Sequence, residues 1–194
     1  EPLFLFDVTM QNHSGYTNKY FQADVTCEGY DCDEADQYFS LLKLSDEAIE
    51  YLITYFEQVE EPTMIVMFGD HSPYDNLSIG TQEKFYGTPF FIWTNYEMES
   101  KENVWTSTNF LSSYLLSLTG LELTPYNEYL LKLQEEIPAL NHLGYMDSSG
   151  RWHRWEDADS ETLELEREYE CLQYNELMDS QNRVDEFFQI KQTE

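Results

Sequence analysis

Basic residues are scarce in this sequence of 194 residues. Lysine and arginine together number 10 against 38 aspartates and glutamates, which gives a formal net charge of -28 at pH 7. Such a field repels nucleic acid and anionic membrane surfaces, so neither is expected as a direct partner. The charge is more typical of a surface that keeps a protein in solution than of a specific site. An anionic substrate would need a bound divalent cation to offset it locally.

Long apolar runs are absent as well. No stretch approaches the roughly 20 apolar residues of a membrane-spanning helix. There is no signal peptide and no initiating methionine, and the chain begins in an apolar run at residues 3–6 that is typical of a buried strand. We therefore expect this sequence to be a segment of a longer protein. Its hydrophobic fraction of 41% and aromatic fraction of 16% indicate a globular domain.

Cysteine is limited to Cys27, Cys32 and Cys171. Cys27 and Cys32 lie in one acidic loop, where four intervening residues allow either a local disulfide or two free thiols. A zinc finger is not expected, because no second pair of cysteines or histidines stands at the required spacing.

Two apolar patterns alternate along residues 1–124. Continuous apolar runs predict buried strands, and apolar residues at spacings of three and four predict amphipathic helices. Strands are predicted at 3–10, 63–68 and 87–94, and helices at 38–56 and 108–118. This alternation predicts an α/β fold in which helices sandwich a mostly parallel sheet.

The pattern changes after residue 124. Residues 125–194 are predicted to form an acidic appendage of helices and a hairpin, packed on the preceding domain. Helices are predicted at 126–137 and 158–178, a hairpin at 144–155 with its turn at 147–150, and a frayed end after Asp179.

The most informative motif is Gly69-Asp70-His71, which directly follows the second predicted strand. Ligands of open α/β sheets bind at the carboxyl ends of strands. A carboxylate and an imidazole at such an end are suitable ligands for a divalent metal ion. The alternative is that Asp70 caps a helix and His71 is an ordinary loop residue. Gly69 would permit a tight turn and a close approach of the backbone to a ligand.

A second histidine, His13, also follows a predicted strand. If the two strands are near neighbours, His13 would reach the same crevice and could donate a hydrogen bond to an anionic substrate. The alternative is a solvated turn. The remaining histidines, His142 and His153, are interpreted as structural or exposed.

The order of four segments, FLFDVTMQNHSGY, LSDEAIEYLITYF, TMIVMFGDHSP and GTPFFIW, resembles the C-terminal half of lipoteichoic acid synthases and related phosphoglycerol transferases. These enzymes belong to the alkaline phosphatase and sulfatase superfamily. The resemblance covers residues 3–122 and implies a partial alkaline-phosphatase-like fold. It also implies that Asp70 and His71 bind a catalytic metal, manganese or magnesium with zinc as an alternative, and that His13 contacts the phosphoglycerol head group.

The resemblance further implies a two-step transfer. A metal-activated threonine attacks the phosphate of a lipid-linked phosphoglycerol, and an acceptor hydroxyl then takes the group. That threonine and a glutamate ligand belong to an N-terminal half with no counterpart here, so the isolated chain is expected to be inactive. The whole protein is expected at the extracellular face of the membrane, anchored by upstream helices, with this segment soluble.

Two other functions remain open. A sulfatase or a phosphoethanolamine transferase would use the same metal ligands on a different ester. A non-catalytic extracellular binding module would not bring His13 within about 10 Å of Asp70 and His71, a separation at which charged groups still interact.

Overall fold

The computed structural model describes residues 3–13, 15–17, 21–29, 32–73, 86–99, 101 and 104–190. The chain divides into two compact units, Glu1–Ser100 and Lys101–Glu194. Helices and small sheets alternate along it, which confirms the α/β class. The predicted boundary at residue 124 lies within the second unit, and the division into a catalytic half-domain and an appendage stays a prediction.

Helix α1, Asp33–Phe56, is the main helix of the first unit. It begins five residues before the predicted start, because its first turn is acidic and lies outside the apolar period. Carboxylates in that turn are favourable next to the positive end of the helix dipole. Ser40, which is fully buried, accepts hydrogen bonds from the backbone amides of Asp24 (3.0 Å) and Val25 (2.9 Å). The loop before α1 is therefore held against the helix.

Strands β1, Met64–Phe68, and β2, Phe90–Thr94, form the sheet of the first unit. They pair antiparallel, with Met64 opposite Thr94 and Phe68 opposite Phe90. This pair differs from the parallel arrangement that the apolar runs favoured. The physical reason is that a continuous apolar run indicates burial on both faces and carries no information on strand direction.

The strand predicted at residues 3–10 does not form, and that prediction is wrong for this chain. Residues 3–10 are exposed and make no strand pairing with any other described residue. The ring of Phe6 lies 6.4 Å from the ring of Phe68, so the segment runs past the carboxyl end of β1. A strand requires a partner for its backbone groups, and apolar composition alone does not supply one.

The second unit has its core around helices α2, Thr108–Thr119, and α3, Pro125–Glu136. The α3 start is well defined, because Thr124 and Asn127 form a reciprocal capping box and Pro125 occupies the first turn. The buried cluster combines residues of both helices with residues of the following sheet and of the last long helix. Its members are Phe110, Leu130, Leu133, Ile137, Tyr145 and Tyr169.

A three-stranded antiparallel sheet follows, made of β3, Ala139–Asn141, β4, Gly144–Met146, and β5, Trp152–Arg154. The predicted hairpin is confirmed as β4–β5. Gly144 is required by a close approach of the two strands, since a β-carbon there would lie 1.9 Å from the carbonyl oxygen of His153.

The β4–β5 turn is organised by Asp147. One carboxylate oxygen accepts hydrogen bonds from the Ser149 hydroxyl (2.6 Å) and the Arg151 amide (3.0 Å), and the other contacts His153 Nε2 at 2.6 Å. The ring of His153 stacks on Tyr145 at 5.2 Å. These bonds, led by that of Ser149, hold the pKa of Asp147 far below its ordinary value of 3.8.

Replacing Asp147 by asparagine is expected to lower the thermal midpoint at neutral pH, because the variant loses a carboxylate stabilised in the folded state. A depressed folded pKa gives stability that is present above the unfolded pKa and is lost as pH falls below about 4. The difference between wild type and variant should therefore shrink between pH 4 and pH 2. Thermal unfolding followed by circular dichroism across this range measures it, and a difference independent of pH would contradict the assignment.

Helix α4, Ser160–Leu177, confirms the predicted acidic helix. The fraying predicted after Asp179 is wrong up to residue 190, because a short helix, α5, Asp185–Phe188, follows. The rings of Phe187 and Phe188 lie 6.2 and 5.1 Å from that of Tyr126 on α3. Aromatic packing against a distant helix therefore orders this segment.

The three cysteines carry free thiols in the structure. Partial burial, followed by the nearby Asp36 carboxylate, raises the pKa of the Cys27 thiol. Among the described residues, no helix combines the length and the apolar character needed to cross a bilayer.

Candidate functional site

Asp70 and His71 stand immediately after the carboxyl end of β1. Gly69 donates a backbone hydrogen bond to Pro89 at 3.1 Å and accepts one from the Thr88 hydroxyl at 2.7 Å. A β-carbon at Gly69 would lie 2.9 Å from Cβ of Thr88. Glycine at position 69 therefore allows the backbone to approach Thr88, which lies just before β2. The hydrogen bond from Thr88 fixes the backbone from which Asp70 projects.

The two side chains converge. Asp70 Oδ1 accepts a hydrogen bond from the His71 amide at 2.9 Å. His71 Nδ1 lies 2.9 Å from the carbonyl oxygen of Ser72, and because a carbonyl only accepts, the ring proton belongs on Nδ1. The lone pair then sits on Nε2, which lies 3.5 Å from Asp70 Oδ2. One carboxylate oxygen and one imidazole nitrogen are therefore adjacent.

This spacing fits two ligands of one divalent ion. Two ligand atoms of one ion, each about 2.1 Å from it, must lie within about 4.2 Å of each other, and the 3.5 Å separation satisfies that limit. The backbone carbonyl on Nδ1 orients the ring in the way that outer partners orient metal-binding histidines. Asp70 and His71 would hold such an ion through Oδ2 and Nε2.

The rest of a coordination sphere is not supplied by the part of the chain that the structure describes. Within it, no group of three or more histidine, cysteine, aspartate or glutamate side chains is placed to hold a metal ion. Both side chains of the pair are solvent-exposed. Asp70 and His71 are thus an exposed pair of possible ligands.

His13 lies in a separate loop that rests on α1. Its amide donates to the carbonyl of Met10 at 3.2 Å, which closes a turn after the exposed segment. Asn12 accepts hydrogen bonds from Ser45 on α1 (3.1 Å) and from the Tyr16 hydroxyl (2.9 Å). The structure therefore brings Asp70 and His71 together, and the approach of His13 to them stays a prediction.

Two supporting residues were missed by the sequence analysis. Thr88 holds the carbonyl of Gly69, and Asn95 joins the ends of three elements. The Asn95 side chain donates to the carbonyls of Val59 (2.8 Å) and Glu61 (2.9 Å) and accepts from the Thr63 amide (2.7 Å). Both roles depend on pairing between β1 and β2, and a single side chain in a strand pattern does not indicate them.

Two known proteins resemble this chain over nearly its whole length. One, from Rhizobium meliloti (strain 1021), is named for a role in cyclic β-1,2-glucan modification and is 26% identical over 97% of this chain and 33% of its own length. The other is the structure of the Streptococcus pyogenes phosphoglycerol transferase GacH in complex with sn-glycerol-1-phosphate. It superposes with a TM-score of 0.66 at 18% identity, over 95% of this chain and 47% of that one.

These matches establish the fold and the extent of the resemblance. The chain spans about a third of the length of the first protein and about half of the second. The family model for sulfatases matches residues 1–121, which include His13, Asp70 and His71. On this match the chain belongs to the sulfatase family, within the alkaline phosphatase and sulfatase superfamily, whose members generally use divalent metals.

Proposed function

We infer that this chain is the C-terminal part of the catalytic domain of a metal-dependent phosphoglycerol transferase. The observation that carries this inference is the convergence of Asp70 Oδ2 and His71 Nε2, 3.5 Å apart, at the carboxyl end of β1. The shared fold with GacH, whose structure holds sn-glycerol-1-phosphate, is consistent with a phosphoglycerol-type substrate.

In this proposal, the residues of this chain bind the metal ion and orient the substrate. Asp70 and His71 would hold a manganese or magnesium ion, with zinc as the alternative. Such an ion lowers the pKa of a coordinated hydroxyl and offsets charge that develops on phosphorus. It also offsets, at the site, the net charge of -28 that would otherwise repel an anionic substrate. His13 donates a hydrogen bond to the head group.

The donor is a lipid-linked phosphoglycerol, and the acceptor is a hydroxyl group of a cell-envelope saccharide. The acceptor class is supported by the relative named for cyclic β-1,2-glucan modification. The nucleophilic threonine and the remaining metal ligands come from an upstream half of the domain. The whole protein acts at the extracellular face of the membrane, where upstream helices anchor it.

A second candidate is a sulfatase or phosphoethanolamine transferase, which the family match to sulfatases favours. The metal ligands would be the same, and the upstream nucleophile would differ only for the sulfatase. Threonine is required for phosphoryl transfer in this scheme, and a modifiable cysteine for sulfate esters. In a non-catalytic binding module, His13 would not lie within about 10 Å of Asp70 and His71.

The experiment that separates these functions is a donor comparison with the full-length protein. Phosphatidylglycerol, phosphatidylethanolamine and an aryl sulfate are each supplied with Mn²⁺, Mg²⁺ or Zn²⁺, and release of each product is measured. We expect turnover with phosphatidylglycerol only, and none from the isolated 194-residue chain. Turnover of the aryl sulfate or of phosphatidylethanolamine alone would move the assignment to the second candidate. Activity of the isolated chain would contradict the proposal that part of the catalytic site lies upstream of it.

A further inference from the structure

Helix α4 has two faces of different character. One face is buried through Tyr169, whose hydroxyl accepts a hydrogen bond from Asn109 at 2.8 Å, and through Leu165, which packs against the core. The exposed residues of α4 are mostly charged, with Leu163, Tyr174 and Leu177 as large apolar exceptions. A helix on the surface of a domain ordinarily places polar residues on its outer face.

The exposed apolar residues concentrate at the end of the helix. Tyr174, Leu177 and Met178 are 61%, 74% and 70% exposed, and their spacing of three and four places them side by side. The amide of Val184 donates to Asn175 Oδ1 at 3.0 Å, so the following loop folds back onto the end of α4. Tyr174, Leu177 and Met178 are called the α4 patch below.

The α4 patch is held in place. The side chain of Asn175 also donates to the carbonyl of Asn182 at 3.0 Å, and Asp179 accepts from the Asn182 side chain at 3.0 Å. The patch therefore lies on an ordered surface, unlike apolar residues on a free tail. Clustered exposed apolar side chains of this kind mark interaction sites, whereas single ones do not.

Charge around the α4 patch selects among partners. Helix α4 carries glutamates at 161, 164, 166, 168, 170 and 176 against the single basic residue Arg167. Glu170 precedes Tyr174 by one turn, and Glu166 precedes Glu170 by one turn. Partial burial, followed by the Glu170 carboxylate, raises the pKa of Glu166. An apolar patch within an acidic field repels anionic lipid and a second copy of this acidic chain, and attracts a cationic partner.

We propose that the α4 patch is a docking surface for a basic amphipathic helix of a partner protein. The apolar seam of that helix covers Tyr174, Leu177 and Met178, and its lysines or arginines lie against Glu166 and Glu170. Recognition of this type uses apolar anchors at helical spacing for affinity and complementary charge for orientation. The inference is independent of the proposed catalytic function.

The test uses a synthetic 18-residue helical peptide of leucine and lysine, patterned with one apolar face and labelled with a fluorophore. Binding to the full-length protein is measured by fluorescence anisotropy at about 150 mM salt, where the Debye length is about 8 Å. The variant is Leu177→Ser with Met178→Ser, and the control is Leu121→Ser, which replaces a leucine that is 61% exposed elsewhere. Circular dichroism verifies that each variant is folded.

We expect the double variant to bind the peptide at least about tenfold more weakly, as for loss of two central apolar anchors. The control should bind unchanged, and a leucine–glutamate peptide should not bind. Equal binding by variant and wild type would show attraction by charge alone and would overturn the proposal. It would also be overturned if the double variant abolished self-association of the chain or adhesion to phosphatidylglycerol vesicles, since the occupant would then be a second copy or a membrane.

Discussion

Replacing Asp70 by asparagine in the full-length enzyme is expected to lower kcat/KM for phosphoglycerol transfer by about a thousandfold or more. The carboxamide keeps the size of the side chain and removes the negative charge from the atom that faces His71 Nε2. A catalytic metal ion contributes several kcal/mol to stabilising the transition state, and each tenfold in rate corresponds to about 1.4 kcal/mol. Transfer of labelled phosphoglycerol at saturating Mn²⁺ measures the effect.

The matched control is Asp46→Asn, which removes a carboxylate from the exposed surface of α1. Its kcat/KM should stay within about twofold of wild type, because interactions between exposed charges are weak. His71→Gln should lose activity as Asp70→Asn does, and both variants should bind less Mn²⁺ in equilibrium dialysis. Unchanged kcat/KM in Asp70→Asn would remove the metal role from this pair and leave the catalytic assignment without its main support.

Local patterns predicted most elements of the fold, and pairwise contacts account for the rest. The apolar runs at β1 and β2 and the helical period of α1 are visible in the sequence, because each element buries its own side chains. The sequence did not predict that β1 and β2 run antiparallel. Strand direction depends on which end of β1 the intervening chain places next to the start of β2. Residues 3–10 show the same limit, because strand-forming residues without a partner strand do not make a strand.

The elements missed in the second unit depend on distant partners. Strand β3 has three residues, too few for a periodic pattern, and the Ser107 hydroxyl donates to the carbonyl of Leu140 at 3.0 Å to hold it. Helix α5 depends on Tyr126, which lies 62 residues before its contact Phe188. Neither partner is adjacent in sequence, so composition near the element carries no trace of it.

The candidate site shows the same difference between residues that local sequence identifies and residues that depend on distant contacts. Asp70 and His71 are neighbours in the chain, and a motif of adjacent residues after a strand was sufficient to identify them. Their adjacency depends on the Ser72 carbonyl and is likewise local. His13 is separated from them by the whole of α1. The sequence placed it at the end of a strand over residues 3–10, and because that strand does not form, the family resemblance is the support that is left for its role.

Replacing Phe110 by alanine is expected to lower the free energy of unfolding of the second unit by about 3–5 kcal/mol, the range for large aromatic-to-alanine changes in cores. Phe110 is 0% exposed, and its ring lies 6.3 Å from that of Tyr169. It contacts the cluster formed by α3, β4 and α4, so its removal leaves a cavity that three elements would have to close together. A close-packed interior closes such cavities only in part. Urea unfolding followed by circular dichroism measures the loss.

Native-state hydrogen exchange then assigns the loss to a part of the chain. Amides of α2 and α3 should exchange faster in Phe110→Ala, and amides of β1 and β2, which belong to the other compact unit, should keep their exchange rates if the units open separately. The control Leu121→Ala removes an exposed side chain just after α2 and should change stability by less than about 0.5 kcal/mol. A loss below about 1 kcal/mol in Phe110→Ala would mean that the surrounding side chains collapse into the vacated volume. The buried cluster would then be a loosely packed association, and the ordered end of α4, which rests on Tyr169, would lose the support that the docking surface requires.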